Sequence, residues 1–211
     1  TIDPTFSVGV TAGGNDYHHY SDGTWDSSGD RVTSGKTGPT ATSQGAFRFT
    51  NVTIAQGSTI SNATITTRTL ASGFVEAAVE LKLYAVDEDN AAAATDASTC
   101  TTDDGIRTTA FTTWSTVSIN TNDSAQTTPS FHTVVQEIVD RPGWVSGNAL
   151  IIHGVDNGSA NSRAWQAASY DHATYTEPTI SITYTAPGVT LSATSSSVTE
   201  GGATSTYTVV L

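Results

Sequence analysis

Residues 75 to 85, VEAAVELKLYA, alternate between two kinds of side chain with a period of two. Val75, Ala77, Val79, Leu81, Leu83 and Ala85 fall on one side of the alternation, and Glu76, Glu80, Lys82 and Tyr84 on the other. Only an extended strand puts every second side chain on one face, so this stretch calls for a sheet with one buried and one wet surface. Partner strands follow at short intervals. FSVGVTAGG reads as an edge strand, GAFRFTNVTI sets Phe47 and Phe49 opposite Arg48, and STISNATITTRTL carries Ile60 and Ile65. TTAFTTWSTVSIN bears Phe111, Trp114, Val117 and Ile119, while SRAWQAASYD and PTISITYT supply two more strands. NALIIHGV is apolar on both faces, as a central strand is. The 39 Thr and 24 Ser residues agree with this reading, since β-branched Thr suits a pleated strand and Ser suits turns.

One segment departs from the pattern. In SFHTVVQEIVDRPGW, residues 130 to 144, Phe131, Val134, Val135, Ile138 and Val139 fall at i, i+3, i+4, i+7 and i+8, the single apolar stripe of an amphipathic helix. Ser130 is the expected N-cap, and Pro142 with Gly143 is the expected stop. The inward stripe carries no polar residue; His132, Gln136 and Glu137 fall on the other face. Such a helix fits the open end of a sandwich and closes it. Residues 14 to 42 lack periodicity and read as a long loop, as does ASTCTTDDG around Cys100. The expected fold is all-β: an antiparallel β-sandwich, or jelly roll, with one short amphipathic helix over residues 1 to 186. Residues 187 to 211, rich in Ser and Gly, read as the first strands of a second β domain too short to hold a core alone.

FRFTNVTIAQGSTISNATI, LKLYAVDEDNA, FHTVVQEIVDRPGWVSGNALIIHG and AASYDHATYTEPTISITYT, taken in that order, resemble a jelly-roll module of secreted bacterial proteins and marine phage surface proteins. It is similar to DNRLRE-type and carbohydrate-binding-module-like sandwiches. The resemblance spans about residues 43 to 185, and SSSVTEGGATSTYTVVL resembles the opening of a Calx-beta-like or immunoglobulin-like repeat. It implies binding, adhesion or scaffolding, at an extracellular, cell-surface or virion-surface location, and carries no set of catalytic residues with it.

The net charge of -12 argues against nucleic-acid backbone and anionic membrane as partners, because both demand clustered Lys and Arg. No apolar run reaches membrane-spanning length. A start at Thr1 in a chain without Met is what a processed N-terminus would give. The single cysteine, Cys100, has no cationic neighbour to activate it. Of the five histidines only His18 and His19 are adjacent, and His153, inside an apolar strand, is expected to be a core or rim residue. No nucleophile elbow, zinc-protease or phosphate-loop motif occurs, so a non-enzymatic role is expected.

Two clusters are candidate sites. DYHHYSDGTW concentrates Tyr17, His18, His19, Tyr20 and Trp25 among acids; Tyr17, His18, Tyr20 and Trp25 are the candidate glycan-binding residues, since rings stack on sugars. The same rings could instead pack the loop onto the sandwich or meet a neighbouring subunit. Asp87, Asp89 and Asn90, with Glu88, crowd one turn and are candidate ligands for a structural Ca2+, which takes oxygen ligands; a plain solvated turn is the alternative. Two functions are therefore expected: a structural or adhesion subunit of an extracellular or virion assembly, with neighbouring copies as partners, or a carbohydrate-binding module of a larger secreted enzyme or adhesin.

Overall fold

The computed structural model describes residues 3–71, 77–117 and 122–188. Residues 187–188 apart, the expected second β domain lies outside them, as do Val75, Glu76 and Ile119. The chain forms two sheets in which every pairing is antiparallel. The smaller sheet has the order β1 (Thr5–Gly9), β12 (Thr179–Thr185), β6 (Thr59–Arg68), β9 (Ala125–Thr127). The larger runs β11 (Arg163–Ala168), β4 (Arg31–Lys36), β5 (Thr42–Phe49), β10 (Leu150–Asp156), β7 (Ala78–Ala85), β8 (Thr112–Val117). Gly45, Ala46 and Phe47 of β5 pair with β10 on one edge and with β2 (Asp16–Tyr20) on the other, and β2 pairs in turn with β3 (Trp25–Asp26). The expected β-sandwich is thus the fold, with β1 an edge strand and β10 buried on both faces.

Alternation decides which side chains meet between the sheets. Phe47, Phe49, Val79, Leu81, Leu83, Leu150, Ile152 and Trp165 from the larger sheet pack on Ile60, Ala63, Ile65, Ile180 and Ile182 from the smaller. Ile60 and Ile65 are an odd number of residues apart and would face opposite ways on a regular strand. The register slips between Thr183, opposite Asn62, and Tyr184, opposite Ile60, and this bulge turns both isoleucines inward. Between the sheets a void of about 10 Å3, lined by Phe47, Ile65, Leu81, Trp114, Ile152 and Trp165, has room for one water at most. A ligand of any size must therefore bind elsewhere.

The helix α2 (His132–Val139) closes one end against β6 and β7, with Phe131, Val134, Val135, Ile138 and Val139 all at most 1 % exposed. Trp144 completes the closure, buried with its indole N–H donating to the Ile54 carbonyl at 2.9 Å. Ser130 is not the N-cap. That position belongs to Phe131, and the Ser130 hydroxyl accepts the Ala63 N–H of β6 at 3.2 Å instead. Gln136 and Glu137 of α2 are anchors as well. Gln136 accepts the Ile60 N–H and donates to the Ser58 carbonyl, and Glu137 accepts the Thr109 and Ala110 N–H groups, one on each oxygen, at 2.7 Å.

Two expected loops are not loops. Residues 14 to 42 contain β2, β3 and β4, and the segment around Cys100 is a second helix, α1 (Ala97–Gly105). Asp96 starts that helix by accepting the Thr99 N–H at 2.8 Å, the bond of an N-cap aspartate. The Cys100 end of α1 covers the outer face of the larger sheet, where Cys100 packs with Tyr17, Ala46, Val86, Ala91, Ala94 and Ile151 in a second apolar cluster. β2 escaped detection because it is covered on both faces, so that its polar residues Asp16, His18 and His19 are buried and no alternation shows.

Candidate functional site

Strand β2 divides the expected aromatic cluster between two surfaces. Tyr17 and His19 point to the outer face of the larger sheet, and Asp16, His18 and Tyr20 to the other. Tyr17 is 1 % exposed, sealed in the cluster under α1 with its hydroxyl 3.4 Å from His153 Nε2. His153 is the core histidine expected, at 1 % exposure. His18 is buried and meets the half-buried Tyr20 edge-on at 5.1 Å; burial holds its imidazole below the ordinary histidine range, with the Asp26 charge opposing. Trp25 pairs with His19 and stays half-buried on the outer face. Of the four candidate glycan residues, Trp25 and Tyr20 keep partial access to solvent, and on different faces.

The acidic turn at 87 to 90 has internal partners. Arg141, just past α2, donates Nε to Asp89 at 2.7 Å and Nη1 to Asp87. Asn90 accepts the Ala149 N–H at 2.8 Å. Gly143 makes room for this knot, because a Cβ there would collide with the Asp89 carboxylate. The two carboxylates and Asn90 thereby fasten the turn to the end of the plug helix.

A different group assembles on the outer face of the larger sheet, beyond α1. Tyr84 and Lys82, on the wet side of the alternation in β7, face outward there, as the sequence implies. Phe111, read with Trp114 as part of one strand, lies on the opposite face from it. The two are an odd number of residues apart, and Phe111 is 46 % exposed where Trp114 is buried. Phe111 sits 5.6 Å from Tyr84, with the Lys82 ammonium 4.6 Å above the Phe111 ring. The Arg107 guanidinium also lies over Tyr84, 5.5 Å from the ring centre, and it donates to Gln44 of β5. Gln44 pairs with His19, and His19 with Trp25. Lys82, Phe111, Tyr84, Arg107, Gln44, His19 and Trp25 therefore form one unbroken row across the strands.

The bulge that makes the row is held by α2. Arg107 faces Val86 across an isolated bridge and Thr112 faces Leu83, so more residues separate 107 from 112 than separate 83 from 86. The extra length loops out at Thr109 and Ala110, whose N–H groups are the two that Glu137 accepts. Periodicity marks Lys82 and Tyr84 as outward-facing, but nothing in the sequence marks the bulge, so Arg107 and Phe111 escape a linear reading.

Asp16 is the other unusual group. Its carboxylate is 1 % exposed; Oδ2 accepts the Tyr170 N–H at 2.7 Å and Oδ1 has no hydrogen-bond partner. Burial, with the Asp171 charge adding to it, pushes the Asp16 carboxyl up to about 7 against the Tyr170 hydrogen bond, which lowers it. No family model matches the sequence, and no curated protein does.

Proposed function

We propose that the chain is a non-enzymatic adhesion protein of an extracellular or virion surface, and that it holds an extended polysaccharide across the outer face of the larger sheet. The row from Lys82 to Trp25 is the observation that supports this reading. Ring faces at Tyr84, Phe111 and Trp25 offer apolar platforms for the C–H faces of sugars, and Arg107, Gln44 and Lys82 between them offer donors to hydroxyl oxygens. The void between the sheets is too small for a sugar, which favours the surface as the place for contact. Among the described residues the outer edge of β1 has no partner strand, which favours neighbouring copies of the chain as further partners, since an edge strand offers free backbone groups to another strand.

Retention on a panel of immobilised polysaccharides tests the glycan reading. Phe111→Ala removes an exposed ring without opening the core, and is expected to weaken binding by about tenfold or more while leaving the melting temperature unchanged. Equal retention of the parent chain and Phe111→Ala on every polysaccharide that binds would rule out this face.

A further inference from the structure

We infer that Asp16 and Asp171 form a calcium site tying the start of β2 to the loop between β11 and β12. A buried carboxylate calls for hydrogen bonds or a counter-charge at both oxygens, yet Asp16 Oδ1 has no hydrogen-bond partner at 1 % exposure. The charged group acting on it is a second acid, Asp171, which follows the Tyr170 amide that Asp16 holds. Arg48 lies on the opposite face of β5 from Phe47, the partner of Asp16, and is occupied there, donating to Asn15 Oδ1 at 2.9 Å and to the Ala91 carbonyl at 2.8 Å. Among the described residues the pair thus lacks the compensation that Arg141 gives to Asp87 and Asp89.

The surroundings leave room for the second acid. Asp171 rests against Gly13, where a Cβ would lie 2.9 Å from its carboxyl carbon, so a residue with a side chain there would push the acid away. A single proton would neutralise one of the two acids, whereas a divalent cation neutralises both. Two oxygen ligands from separate loops suit calcium, which accepts irregular geometry and completes its shell with main-chain oxygens and water. This site is separate from the aromatic row and stands whether or not the row binds sugar.

Titration of calcium chloride into the full chain, stripped beforehand with EDTA, is the test. Calorimetry is expected to show saturable one-site binding, and saturating calcium to raise Tm by about 5 °C or more. Sodium chloride at matched ionic strength is expected to do neither. Asp171→Asn alters an exposed side chain and is expected to fold and to lose both responses, whereas the double variant Asp87→Asn, Asp89→Asn keeps them. Absence of binding heat and of a Tm rise in the parent chain would overturn the inference. Survival of both responses in Asp171→Asn would do the same.

Discussion

Trp144→Ala is expected to lower the unfolding free energy by about 3–5 kcal/mol, the range for emptying a large buried aromatic site. Trp144 is 2 % exposed and sits where α2 gives way to the strand β10, filling the end of the sandwich that the helix closes. Its loss leaves a cavity against Ile54 and the helix, and removes the partner of the Ile54 carbonyl, which the indole N–H holds at 2.9 Å. Collapse into that cavity is opposed from two sides. Arg141 pins the end of α2 to Asp87 and Asp89, and Gln136 pins its middle to Ser58 and Ile60. Val145, the next residue, is 61 % exposed, and Val145→Ala is expected to change stability by no more than about 0.5 kcal/mol. Urea unfolding of the two variants side by side separates a plug from an ornament: similar midpoints would mean that the Trp144 end of the sandwich is not closed by this residue.

The second large effect is at Asp16 and has the opposite sign. In chelated buffer, Asp16→Asn is expected to stabilise the fold by up to about 4 kcal/mol above pH 8, from a carboxyl pushed up to about 7 from 3.8 at 1.36 kcal/mol per unit. The sign follows from which state holds the proton. Between the two values the folded chain keeps a proton that the unfolded chain has released, so stability falls as pH rises from about 4 to 7 and then levels. Asparagine cannot ionise, and its side-chain oxygen still accepts the Tyr170 N–H that Asp16 Oδ2 accepts. The pH dependence of the unfolding free energy should therefore flatten across this window in the variant. A parent chain that gains stability between pH 5 and 8, with Asp16→Asn following the same curve, would show that this carboxylate is not the source.

The sequence revealed whatever was governed by period alone. The alternation over β7 assigned Leu81 and Leu83 to the core and Lys82 and Tyr84 to the other face, and the 3.6 period over residues 131 to 139 located the plug helix. Period failed where both faces of an element are covered. Asp16, His18 and His19 look like loop residues, yet all are buried in β2, because α1 lies over one side and β4 approaches the strand as well. It failed again where a bulge resets the phase, at Ile60 and around Thr109, because a bulge is defined by the partner strand and the partner is distant in sequence. The helix α1 has no apolar stripe, and its one local signal, Asp96 three residues before Thr99, is short and polar. The candidate site suffered most. Its row draws on β2, β3, β5, β7 and the segment from Arg107 to Phe111, and only the register of those strands brings Trp25, Gln44, Tyr84 and Phe111 to one surface.

Amide chemical-shift mapping of the 15N-labelled chain, with an oligosaccharide cut from whichever polysaccharide retains it, locates the contact surface directly. Shifts are expected to concentrate at Trp25, His19, Gln44, Lys82, Tyr84, Arg107 and Phe111, and to spare the smaller sheet. Shifts confined to β1, β6 and β12, or gathered at Tyr20 and His18 on the inward side of β2, would place the working surface elsewhere and contradict the assignment of the outer face.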